Sequence, residues 1–138
     1  MTIEEQNAYL TAHYVEAMRY MENAEGFLRM AKRDGPRYTD KKYVRTACGT
    51  AYNGVLIALD AWLSMKGVAP TGKKKRKSIE YYKTGVARLD GKLLSVLDNV
   101  YIILHLEGYY DGSTNVKAIS GGFEEAYEII DKIKPYAQ

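Results

Sequence analysis

The sequence predicts an all-α protein folded as an antiparallel, up-and-down bundle of four helices, or five if its third apolar run divides. Three observations predict it. Apolar residues recur at alternating spacings of four and three along long segments, which marks one face of a helix. No segment shows sustained two-residue alternation rich in β-branched side chains, so no sheet is expected. Pro36, Pro70 and Pro135 all fall at segment ends rather than inside them. With 138 residues, 46% hydrophobic and 27% charged, the chain is sized for a single helical domain, residues 1–138, around one core.

The first stripe runs Leu10, Tyr14, Ala17, Met21, Ala24, Leu28, Ala31. Thr2 and Glu5 have capping-box spacing, in which hydroxyl and carboxylate each satisfy an orphan backbone N–H. Gly35-Pro36 is the expected terminator, because glycine accepts the left-handed cap and proline cannot continue the ladder. Thr39 or Asp40 can cap a second helix striped Val44, Cys48, Ala51, Val55, Ala58, Trp62, Met65. Its small residues, Gly49 and Gly54 among them, permit close approach by a neighbour, and Gly67 and Pro70 close it.

A third run carries Ile79, Tyr82, Val86, Leu89, Leu93, Val96, Val100 and Ile103 through Asp90-Gly91. The unbroken phase of the stripe favours one kinked helix, although the turn dipeptide and Gly85 invite a break. The last stripe, Val116, Ile119, Phe123, Ala126, Ile130 and Ile133, ends before Pro135, with Gly121-Gly122 expected to delay its start.

Cys48 is the only cysteine, which excludes an intramolecular disulfide and suits a reducing compartment. The acidic start, Met1-Thr2-Ile3-Glu4-Glu5, does not resemble a signal peptide, and no apolar run is long enough for a membrane span. A cytoplasmic protein is the expectation. Net charge is +3, but it is segregated. Residues 67–92 hold eight basic residues against Glu80 and Asp90, whereas 93–112 hold Asp98, Glu107 and Asp111 with no Lys or Arg.

From Tyr43 the pattern Tyr-x8-Tyr-x-Gly-x4-Leu-x2-Trp-Leu resembles the second helix of the HEPN superfamily of small helical bundles. The basic loop before Ser78-Ile79-Glu80-Tyr81-Tyr82, the Tyr-Tyr-Asp-Gly at 109–112 and a final helix over Glu124 to Ile133 extend the resemblance. It implies a small bundle, often an RNase paired with a nucleotidyltransferase-like antitoxin, whose dimer presents Arg-x4-6-His from each subunit. That motif is absent. Its nearest remnant ends at His105, with Asp98 where the family has arginine and Asn99 resembling the polar residue after it. An acid there repels a scissile phosphate that a guanidinium would clamp. A non-enzymatic protein is therefore expected, with His105, Asn99 and Tyr101 the weak catalytic candidates.

Lys73, Lys74, Lys75, Arg76 and Lys77, followed by Tyr81 and Tyr82, form the candidate site for nucleic acid or another anion. Such runs are most often simply solvated, yet cations before a helix N-terminus oppose the macrodipole and stabilise nothing locally. Thirteen tyrosines are many for this length, and Tyr109, Tyr110 and Asp111 are the candidate interface or pocket. Asp60, amid apolar residues, is expected to face solvent or pair with a cation. His13 and His105 lie far apart and Cys48 has no CxxC partner, so neither metal nor cofactor is expected. The expected partner is a second copy of the chain, a protein such as a nucleotidyltransferase-like antitoxin, or alternatively RNA or a nucleotide.

Overall fold

The computed structural model describes residues 1–68 and 77–134, so Lys73 to Arg76, Pro70 and Pro135 lie outside the described residues. Among the described residues the protein is all-α apart from one small hairpin. Helix α1 spans Ile3–Ala31, and the expected capping box is formed: Glu5 N–H donates to Thr2 Oγ1 and Thr2 N–H to Glu5 Oε1, both at 3.0 Å. The helix stops at Ala31, short of Gly35-Pro36, because the backbone turns at Lys32 (φ 57°).

Gly35-Pro36 instead forms the turn of a hairpin that corrects the expectation of no sheet. Strands β1 (Arg33–Asp34) and β2 (Arg37–Tyr38) pair antiparallel, Arg33 opposite Tyr38 and Asp34 opposite Arg37. Two residues per strand are too few to show alternation in sequence. The hairpin is strapped to the chain ahead of the last helix, since Tyr38 N–H donates to the Thr114 carbonyl (2.9 Å) and Val116 N–H to that of Pro36 (3.0 Å).

Helix α2 (Lys41–Met65), N-capped by Asp40, is the centre of the molecule. Its whole stripe from Val44 to Trp62 is buried, and Ala47, Leu59 and Leu63 join it. Each fully buried leucine contributes about 1.5–3 kcal/mol. Ala17, Met21, Ala24 and Ala31 of α1 cover one side of the resulting core.

The third run is two helices, not one kinked element. Helix α3 (Ile79–Leu89) ends at Asp90, whose carboxylate then accepts from Lys92 N–H and Leu93 N–H to start α4 (Gly91–Val100). The stripe keeps phase across the break, burying Tyr82 and Val86 before it and Leu93, Leu97 and Val100 after it. Helix α4 continues directly into a π-helical segment, Tyr101–Tyr110. Helix α5 (Val116–Ile130), capped by the Asn115 side chain, runs through Gly121-Gly122 without delay and ends in a tight 3₁₀ turn, Asp131–Ile133. Among the described residues no helix is long and apolar enough to cross a membrane.

Candidate functional site

The π-helical segment is the unusual element of the fold, because runs of i→i−5 bonding are rare and gather at functional sites. Its end is visible in the backbone, where Asp111 N–H donates to the Leu106 carbonyl at 3.0 Å. Widening the helix alters which side chains share a face. Residues four and five apart now stand together, so Tyr101, His105, Tyr109 and Tyr110 cluster. The His105 ring lies 5.3 Å from Tyr101, 6.0 Å from Tyr109 and 4.9 Å from Tyr110 between centroids. Adjacent tyrosines thereby both reach one imidazole, which an α-helix would not allow.

Helix α2 closes the cluster from below. Tyr52 stacks on His105 at 4.6 Å between centroids and 27° between planes. Two glycines set this approach. A Cβ on Gly49 would fall 2.8 Å from Cδ1 of Tyr109, and a Cβ on Gly108 would fall 2.7 Å from Cβ of Cys48. Between the two elements lies an open groove of about 620 Å³ bordered by Thr46, Thr50, Asn53 and Leu56 of α2 and by His105, Tyr109 and Tyr110. The Thr46 and Thr50 hydroxyls donate to carbonyls of their own helix, at Lys42 (3.1 Å) and Thr46 (2.8 Å), leaving their methyls for the groove.

Burial sets the chemistry here. It pushes the Tyr52 phenol up to about 12, with Tyr101 adding to the effect, and lowers the His105 imidazole from its ordinary 6.5. The groove therefore presents a neutral imidazole beside the neutral Tyr52 phenol at physiological pH, a surface suited to stacking and hydrogen bonding rather than to ion pairing.

The sequence-selected residues divide. His105, Tyr101, Tyr109 and Tyr110 come together, with Tyr109 46% and Tyr110 59% exposed, and Asp111 follows on the exposed rim. Asn99 does not join them; its side chain donates to Glu125 Oε2 on α5 at 3.1 Å. Asp98 pairs with Lys83 (3.1 Å), whose ammonium also sits 5.1 Å above the Tyr101 ring. Lys77 is tied to Asp60 at 3.0 Å, the cation pairing expected of that acid. Tyr82 is a correction: it is core, 4% exposed, and its hydroxyl donates to Asp60 Oδ1 at 2.9 Å, so it cannot stack on a base. Tyr81 is half-buried, edge-on to it.

Sequence reasoning missed Tyr52, Thr46, Thr50 and Asn53 as site residues. The available signal was the 4,3 spacing of Thr46, Thr50 and Asn53, a polar stripe bordering the apolar one. Among the described residues no cluster of three metal-ligating side chains occurs.

No curated protein is significantly similar to this chain. A solved structure of a protein of unknown function from Dyadobacter fermentans is similar to it, at 35% sequence identity and a TM-score of 0.79, covering 90% of this chain and 94% of that one. Residues 12–135 match the family described as Domain of unknown function (DUF5618), and the chain belongs to that family.

Proposed function

We propose that this protein is a non-enzymatic, HEPN-like binding module of the cytoplasm that works through protein association, forming a homodimer across the tyrosine groove. One observation carries the reading: exposed Tyr109 and Tyr110 rings stand beside an open groove on the same face. A projection and a recess on one patch are what a two-fold, self-complementary contact needs. Tyrosine supplies large contact area at low entropic cost.

The placement of the remnant motif supports a non-catalytic role. On the HEPN-like reading Asp98 stands in place of a phosphate-clamping arginine; it pairs with Lys83, and Asn99 faces α5 instead of His105. Sedimentation velocity at high micromolar concentration tests the proposal. The parent should sediment as a dimer and Tyr109→Ala/Tyr110→Ala as a folded monomer; a parent that stays monomeric overturns it.

The near-parallel His105 and Tyr109 rings, 12° between planes, favour one second reading, in which the groove takes an unpaired base of RNA or a nucleotide and the Lys73 to Lys77 run is the candidate for phosphate contacts. Its mark is binding of a single-stranded RNA oligomer that weakens steeply with salt and disappears when the five cations are neutralised. Affinity that ignores salt and those substitutions rejects it.

A further inference from the structure

A second cavity, of about 540 Å³, lies where the end of α1, the hairpin and α5 meet, apart from the tyrosine groove and independent of the dimer reading. Its two helical walls run in opposite directions. At one end Tyr127 OH of α5 donates to Glu25 of α1; at the other Ser120 of α5 and Tyr38 of the hairpin both line the opening. The walls are also charged. Arg29, Lys32 and Arg33 line it against the two carboxylates Glu25 and Glu124, an excess of one positive charge, while Leu28 and the buried Phe123 supply an apolar floor. None of the three cations forms an ion pair among the described residues.

Lys32 adds an independent observation. Its backbone (φ 57°, ψ 166°) occupies a region that is essentially reserved for glycine and is strained for a residue with a Cβ. The conformation is imposed by its neighbours. The Ala31 carbonyl accepts from Asp40 N–H (3.1 Å), Thr39 N–H (3.3 Å) and Thr39 Oγ1 (2.9 Å), which clamps the peptide leading into Lys32. The negative end of the α1 dipole accounts for a cation at Arg29. It does not account for a side chain at position 32, where glycine would adopt the same backbone without strain. What lysine adds there is a third cationic side chain on the cavity lining, with Arg29 and Arg33.

We propose that this cavity binds a small organic anion, its carboxylate or phosphate held by Arg29, Lys32 and Arg33 and its flat apolar body laid on Leu28 and Phe123. The volume falls in the range of small-molecule sites, and an apolar floor with a few convergent polar groups is their usual composition. The planar fork of a guanidinium pairs bidentately with either headgroup.

Calorimetric titration of the full chain with 2-naphthoate, adenosine monophosphate and inorganic phosphate tests it. At least one of the two ring-bearing probes should bind saturably, with inorganic phosphate about tenfold weaker or worse; which of the two binds more tightly identifies the headgroup. Arg29→Ala/Arg33→Ala removes charge, and Ser120→Trp fills the cavity without removing any; each should weaken binding about tenfold or more, with an unchanged circular-dichroism spectrum. Lys32→Gly should weaken binding while raising the melting temperature, a combination that a purely structural lysine would not produce. Four outcomes overturn the proposal: no saturable binding of either ring-bearing probe at millimolar concentration; phosphate alone binding as tightly; binding indifferent to Ser120→Trp; or loss of binding in Tyr110→Ala, which would place the probe in the tyrosine groove.

Discussion

The backbone of Gly108 rests directly against the side chain of Cys48, so that α2 and the π-helical segment touch with no side chain between them. The contact joins the two walls of the tyrosine groove, and it makes position 108 intolerant of one added methyl group. Gly108→Ala should destabilise the protein by about 1–3 kcal/mol, the usual cost of overpacking a dense core, even though alanine is the better helix former. Urea unfolding measures it. Cys48→Ala in the same chain removes the nearest sulfur and should restore part of the loss, giving a coupling that additive sites lack.

Cys48 itself should be inert. The thiol is fully buried and burial pushes it up to about 12, so almost no thiolate exists at neutral pH. An aromatic disulfide reagent should leave it unlabelled in native buffer and modify one equivalent in denaturant. Rapid native labelling would contradict the packing of α2 on the π segment.

His105 gives stability a pH dependence of defined sign. Burial keeps its folded-state value below 6.5, so as pH falls through 6.5 the unfolded chain takes up a proton that the folded chain resists. Stability is therefore lost on acidification from neutrality until the folded imidazole also protonates, and it is level above that window. Unfolding curves from pH 7.5 to 5 should show a smaller loss for His105→Phe than for the parent. Identical curves would mean that the imidazole is solvated.

Lys32→Gly should stabilise the chain by about 1 kcal/mol, the relief of backbone strain less the entropy that glycine adds to the unfolded state. Thermal or urea unfolding checks the direction. Lys32→Ala, which keeps a Cβ, should give no such gain.

The helices were legible because their stripes are a property of burial itself: Val44, Cys48, Ala51, Val55, Ala58 and Trp62 read as one face in sequence and form one buried face in the fold. The break at Asp90 was not, since a stripe records which residues are buried and not the direction of the axis that carries them. Asp90 caps both sides of the break through backbone N–H groups that a sequence cannot display. The π segment was hidden for a related reason. Its residues have ordinary helix propensities, and the change from four-residue to five-residue bonding leaves no compositional trace. His105, Tyr109 and Tyr110 could therefore be singled out as residue types, whereas their gathering around one imidazole, and Tyr52 beneath it, could not. The second cavity is more distant still, because Arg29 and Phe123 become neighbours only after α5 docks.

The hydrogen bond from Tyr127 to Glu25 joins positions 102 residues apart. Helix α5 also inserts Ile119, Phe123, Ile129 and Ile130 into the core shared with α2 and α4. During synthesis these side chains emerge after the walls they pack against. A nascent chain that has reached only the π segment still has the apolar wall facing α5 uncovered, and cooperative closure waits for α5 to leave the ribosome. Truncation within α5 should therefore yield chains that are captured by chaperones or degraded instead of a smaller stable bundle.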